Sequence, residues 1–246
     1  DGEIFRILVP FFKENRNFEC LQMEGCDVSP ECLHLITTAL AKFDSLKEII
    51  IFREFESEID EIRAGELVRV LTGHSDLRKI SMVNVPIGRN GCATLATFLQ
   101  NPKSKLALLN LTINEIDNEG AAVLATGLTG NSTLKDLGFR VKEDITAAGW
   151  GAIFSTFQSP NCVLEKLNLA CNQFKDEEMV SLSNTLTNNS SLKSLSLSEN
   201  SEISMEGWEA FSSFLQNPNC VLEELNLSMN GINGETVNFI TDALIN

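Results

Sequence analysis

The sequence predicts an α/β solenoid: stacked strand–turn–helix units with a parallel sheet inside the arc and helices outside. Three observations predict it. A short apolar pattern recurs along the chain at intervals of 28–31 residues. Each copy is followed by a second apolar set at helical spacing, for example Met179, Leu182 and Leu186. The units also pair into a longer period of 58 residues. Self-similarity at such periods is the signature of a quasi-one-dimensional stack.

The strand half of each unit reads L-x-x-L-x-L-x-x-N-x-I. Its clearest copies start at Leu106 (LALLNLTINEI), Leu164 (LEKLNLACNQF), Leu192 (LKSLSLSENSEI) and Leu222 (LEELNLSMNGI). Weaker copies start at Phe18, Leu46, Leu77 and Leu134, which makes eight units. Positions 1, 4 and 6 alternate with polar residues, as a strand with one buried face requires. The helical set supplies the other wall, and neither element can bury its apolar face without neighbours. Position 9 is the turn: an Asn there can bond the backbone of the next unit. Asn114, Asn172, Asn200 and Asn230 fit, and Cys26 is a tolerated variant. Glu54, Val85 and Lys142 break the row in three units. Duplication of a two-unit block is written in Gly149-Trp150 and Gly207-Trp208, and in NCVLE at 161–165 and 219–223, both 58 apart. Trp150 and Trp208 are expected to pack in the core or on the convex side.

The domain is expected to span 1–246, with 1–17 as an incomplete upstream unit or cap. Phe5, Leu8 and Phe12 have the spacing of a helix half, although Pro10 would disturb it. The final helix (Val237, Ile240, Leu244) has no polar cap after it. With no initiator Met, these features lead to the expectation of a piece of something longer.

Composition bounds function. The chain has 43% hydrophobic residues, enough for a continuous core, and no apolar run long enough to span a bilayer. Its net charge of −15 repels nucleic acid. Seven cysteines, an odd number, favour free thiols in a reducing compartment, hence the cytoplasm or an organelle interior. Sequons at Asn110, Asn131, Asn188, Asn189 and Asn226 are discounted as chance in an Asn- and Ser-rich repeat.

The repeat resembles the ribonuclease-inhibitor-like class of leucine-rich repeats, and the resemblance covers essentially the whole chain. It implies a horseshoe arc, with parallel sheet concave and full helices convex, and a protein-binding surface. It implies no particular partner.

Positions 2, 3, 5, 7 and 8 should face the concave side or its rim. They carry eight basic residues (Lys47, Arg53, Arg78, Lys79, Lys135, Arg140, Lys166, Lys193) and eight acidic ones (Glu19, Glu24, Glu48, Asp136, Glu165, Glu199, Glu223, Glu224). The whole chain has 34 acidic and 19 basic residues, so 26 and 11 remain elsewhere, and the entire excess lies off this face. Ile50 and Phe52 occupy exposed-face positions, unless the irregular unit has slipped, and Val83, Ile113 and Val141 are read as following them in register. Arg53, Arg78, Lys79 and Arg140 flank them. An apolar strip rimmed by cations is a docking site in form. The C-terminal half of the face (Asn168, Ala170, Ser196, Ser198, Asn226, Ser228) is small and polar and has no aromatic anchor.

Nothing in the sequence assembles a nucleophile, a base and an orienting group. His34 and His74 stand alone, and no metal, phosphate or hydrolase motif is present. The acidic stretch Glu54, Glu56, Glu58, Asp60, Glu61 lacks calcium-loop spacing and is read as a solvated loop. The expected function is therefore a non-catalytic, cofactor-free protein-interaction scaffold, as an arm of a larger protein or a subunit of a large assembly. Its partner would be another protein, met through the concave face or the solenoid ends. The alternatives are a small-GTPase-activating or regulatory repeat protein, a ribonuclease-inhibitor-type domain and a ligand-sensing repeat domain.

Overall fold

The computed structural model describes residues 17–25, 30–43, 45–53, 60–141 and 145–245. Its strands are β1 (Cys20–Glu24), β2 (Glu48–Phe52), β3 (Lys79–Val83), β4 (Leu108–Asn114), β5 (Asp136–Val141), β6 (Lys166–Asn168), β7 (Ser194–Ser196) and β8 (Glu224–Asn226). The helices among the described residues are α1 (Pro30–Leu40), α2 (Glu61–Leu71), α3 (Gly88–Gln100), α4 (Asn118–Thr129), α5 (Ala147–Ser155), α6 (Asp176–Leu186), α7 (Met205–Leu215) and α8 (Gly234–Ile245). Strand and helix alternate, and the strands form one parallel sheet in chain order. Every strand begins at the third residue of a repeat. The fold is the expected α/β leucine-rich-repeat solenoid.

Positions 1, 4 and 6 point inward, as the alternation requires. Leu106, Leu109, Leu111, Leu164, Leu167 and Leu169 are buried, and so are Met179, Leu182 and Leu186 from α6. Each such side chain contributes about 1.5–3 kcal/mol by leaving water. Both tryptophans are core residues. Trp150 lies 5.6 Å from Phe139, 5.6 Å from Phe154 and 4.7 Å from Phe174, centroid to centroid. Phe139 belongs to unit 5 and Phe174 to unit 6, so this aromatic group joins the two.

The position-9 asparagines are buried, but their bonds run back to the preceding unit, not on to the next. Asn114 donates Nδ2 to Met82 O at 2.8 Å and accepts from Val85 N at 3.0 Å. Asn172 does the same with Phe139 O and Val141 N. Asn200 donates to Leu169 O and accepts from Asn172 N and Phe174 N. Asn230 donates to Leu197 O and accepts from Asn200 N. The last three make a continuous ladder, whereas Asn114 stands apart. In unit 3 the buried Val85 takes the place of a rung, as expected. Cys26, Glu54 and Lys142, like Phe5, Leu8, Pro10 and Phe12, lie outside the described residues.

Two further devices recur at the 58-residue period. Asn131 donates to Leu99 O, at the end of α3, and accepts from Leu134 N; Asn189 donates to Phe157 O and accepts from Leu192 N. Both are buried, with the amide nitrogen of each bonded to backbone. These two sequons are therefore repeat positions with a structural duty, and the chance explanation fails for them. At the helix starts, Asn118 accepts from Thr146 N, and Asp176 accepts from Ser204 N and Gly207 N. Asp176 thus caps the helix of the following unit at the Gly207 amide, and Asn118 anchors the residue before its helix. The approach is so close that a Cβ on Gly149 would stand 2.5 Å from Asn118 Oδ1, and one on Gly207 2.6 Å from Asp176 Oδ1. The repeated Gly-Trp pair thus combines a close cap with a core anchor.

Candidate functional site: the concave face

Inward-facing positions alternate with positions 3, 5 and 7, which line the concave surface. Hydrogen-bonded register aligns them into rows across the sheet. Phe52 stands opposite Val83, and Thr112 opposite Arg140. Ile50 stands opposite Ser81, and Asn110 opposite Gly138. Glu48 stands opposite Lys79, and Asp136 opposite Lys166.

Ile50, Phe52 and Val83 are half-buried and sit between fully buried neighbours (Ile49, Ile51, Met82), which places their side chains on the concave side. No slip of the irregular unit has pulled them into the core. Ile113 and Val141 correct the expected register. The partner of Arg140 is Thr112, the ladder then skips Ile113, and Val141 pairs with Asn114. Both are position-8 residues, one step along the rim from the row of Phe52 and Val83.

Position 8 has its own geometry. Gly25, Asn84, Ile113, Cys171, Glu199 and Met229 all occupy it with φ of 58–60°. The chain must turn left-handed there before entering the position-9 turn. Gly and Asn tolerate this, but a β-branched residue is a conformational outlier. The strain at Ile113 is about 1–2 kcal/mol. Apolar side chains at this rim persist against backbone preference.

Arg53 is corrected outright. Its side chain is only 5% exposed, and its Nη1 donates to Asn84 O at 2.8 Å. In return Asn84 Nδ2 donates to Arg53 O at 3.2 Å. Arg53 staples unit 2 to unit 3 and does not rim the strip. Position 8 of its unit is not left-handed, so the side chain turns inward along the rim.

The other charges divide into two groups. At position 2, on the edge where the strands begin, three cations pair with anions of neighbouring units: Lys47 with Glu19 at 2.5 Å, Lys135 with Glu165 at 2.7 Å, Lys193 with Glu223 at 3.8 Å. The hydrogen bond and charge of Lys135 hold the Glu165 carboxyl below the usual range, and Lys193 assists from the other side. Solvent screens these exposed pairs, so they contribute little to stability. By contrast, Arg78, Lys79, Arg140 and Lys166 make no ion pair within 4.0 Å among the described residues. Asp136 lies in the middle of the face, half-buried. Burial pushes its carboxyl up, opposed by the charges of Lys166 and Lys79.

The strip that remains runs from Ile50 and Phe52 through Val83 and Ile113 to Arg140 and Val141, with Arg78 and Lys79 beside it. Beyond β5 positions 5 and 7 are small and polar, and at the rim Met229 is exposed. Off this face, His34 lines a groove of about 390 Å³ between α1 and α2 with Glu31, Arg63 and Glu66. Among the described residues no His, Cys, Asp or Glu group is arranged to hold a metal ion, and no helix is long and apolar enough to cross a membrane.

Comparison with known proteins agrees with the architecture. The family described as Leucine Rich repeat matches residues 161–183, 188–212 and 219–236. NACHT, LRR and PYD domains-containing protein 14 of Mus musculus is 26% identical over 96% of this chain and 23% of its own length. NACHT, LRR and PYD domains-containing protein 9C of Mus musculus is 26% identical over 100% of this chain and 24% of its own. The Mus musculus ribonuclease inhibitor is 24% identical over 81% of this chain and 43% of its own. The chain thus spans about a quarter of the first two relatives and under half of the third. Among solved structures, the crystal structure of the Rad7 and Elc1 complex in yeast aligns with 97% of this chain and 70% of that one, at 16% identity and a TM-score of 0.44.

Proposed function

We propose that this chain, whose leucine-rich repeats are of the ribonuclease-inhibitor-like kind, serves as a non-catalytic scaffold that binds a protein on the concave surface of β2–β5. One observation carries the reading. Half-exposed Phe52 and Val83 stand side by side in register, and two strands on Arg140 makes no ion pair within 4.0 Å among the described residues, on a face where Lys47, Lys135 and Lys193 each have one. Apolar anchors next to Arg are the composition of interface hot spots. The absence of net charge on the face leaves nucleic acid without an electrostatic hold, so a protein is the favoured partner. A reducing compartment is part of the proposal, supported by six free cysteines among the described residues.

Affinity capture from native extract tests it, with wild-type bait beside Phe52→Asp and Arg140→Glu baits. A stoichiometric protein held by wild type and lost from both variants is the expected result. Retention by both variants moves the site elsewhere, and a bait that recovers no protein sinks the scaffold reading.

The relative named ribonuclease inhibitor favours a second reading, inhibition of a ribonuclease. The first reading expects no inhibition at equimolar ratio in a ribonuclease assay. Stoichiometric inhibition would replace it.

A further inference from the structure

The rim strip has a repeat distance of its own, and that distance selects a shape of partner. Its side chains come one per strand: Phe52 from β2, Val83 from β3, Thr112 from β4 with Ile113 one step along the rim, and Arg140 from β5. Neighbouring strands are about 4.8 Å apart. An α-helix advances about 5.4 Å per turn, so side chains one turn apart meet successive strands with a drift of about 0.6 Å each, or about 2 Å over the strip. Same-face residues of an extended segment lie about 6.6 Å apart, and the drift grows to about 5 Å over the same span. The row therefore matches a helix laid across the strands and mismatches an extended peptide.

The chemistry of the row is ordered as well. Two apolar row positions, with Ile113 one step off the row, are followed by an Arg that makes no ion pair within 4.0 Å among the described residues, and the same holds for Lys79 and Lys166 on this face. Ile113 keeps a β-branched apolar side chain at φ 58°, where Gly, Asn, Cys, Glu and Met stand in other units. Resting on the concave-face reading above, we propose that the strip receives an amphipathic helix of the partner protein. That helix is apolar at i, i+4 and i+7 and carries a carboxylate at i+11 that pairs with Arg140. Charge complementarity fixes the direction of the helix along the arc.

Two side-chain-stapled helical peptides test this. Both carry Leu at i, i+4 and i+7; one has Glu at i+11 and the other Lys. Fluorescence anisotropy reads affinity, and backbone-amide NMR shifts of the full chain read location. The Glu peptide is expected to bind with shifts confined to β2–β5, and the Lys peptide about tenfold more weakly. Arg140→Glu should reverse that order, a gain of Lys-peptide binding that a misfolded chain cannot show. Phe52→Asp should abolish both, with an unchanged far-UV spectrum. Failure of the Glu peptide to bind, an order unmoved by Arg140→Glu, or shifts on the convex helices overturns the proposal. So does self-association of the chain that the peptide cannot displace, since the strip would then belong to a second copy. Extract capture that still depends on Phe52 and Arg140 while neither peptide binds would overturn the helix and leave the concave-face reading intact.

Discussion

Units 2–5 and units 6–8 of this solenoid solve the same stacking problem differently. The C-terminal units follow the repeat closely. Their strands are three residues long, their position-9 asparagines form an unbroken ladder, and their concave positions are small and polar. They are also the units that match the Leucine Rich repeat family. The N-terminal units depart from the pattern. Their strands run to five, six and seven residues, Val85 replaces a rung, and Arg53 performs the stapling instead. On these irregular units large apolar side chains stand at the strand positions of the concave surface, whereas Met229 of unit 8 is exposed at the rim. Regularity braces the stack, and departure from it creates a distinctive surface.

Substitutions can break this contrast, from the seam outward. Trp150→Ala should have the largest effect, about 4 kcal/mol, because it empties the aromatic group joining the two regions. Chemical denaturation should also lose cooperativity, since units 6–8 would uncouple from units 1–5. Asn200→Ala should follow at about 3 kcal/mol. It leaves the N–H groups of Asn172 and Phe174 and the carbonyl of Leu169 buried with a partner removed. The same change at the isolated Asn114 should cost less, about 1–2 kcal/mol, and equal losses would deny that ladder continuity matters. Gly207→Ala should cost about 2 kcal/mol by pushing Asp176 off the next helix start. Asp176→Ala in the same background should add little further, because the cap is already lost.

The smallest effect is a matter of pH. The folded-state affinity of Asp136 for a proton is raised, so its ionised form opposes folding at neutral pH. That cost disappears as pH falls through the raised value. Asp136→Asn should therefore raise Tm slightly at neutral pH and leave it unchanged in acid. A Tm lowered at neutral pH would mean that Lys79 and Lys166 outweigh burial.

The sequence carried the architecture because each unit repeats one local rule. Leucines at positions 1, 4 and 6, as at Leu106, Leu109 and Leu111, can only be a one-sided strand, and copies at fixed intervals can only stack. It carried the apolar strip in outline for the same reason. What it could not carry depends on the backbone of a neighbouring unit. Ile113 and Val141 share a repeat position, but the strand pairing, Thr112 with Arg140 and Asn114 with Val141, shows that they lie one step beyond the row of Val83. Arg53 reads as a surface cation until Asn84 of the next unit meets it. The sequons at Asn131 and Asn189 look accidental until the carbonyls of Leu99 and Phe157 are in place. Their 58-residue spacing was a signal that could have been used, since accidental matches do not keep the period of a duplication.

Hydrogen exchange on the full chain, alone and saturated with its captured partner, tests the division between bracing and binding units most directly. Added protection should fall on residues 48–52, 79–83, 108–114 and 136–141 and leave β6–β8 unchanged. Protection centred on residues 166–168, 194–196 and 224–226, or on the convex helices, would contradict it.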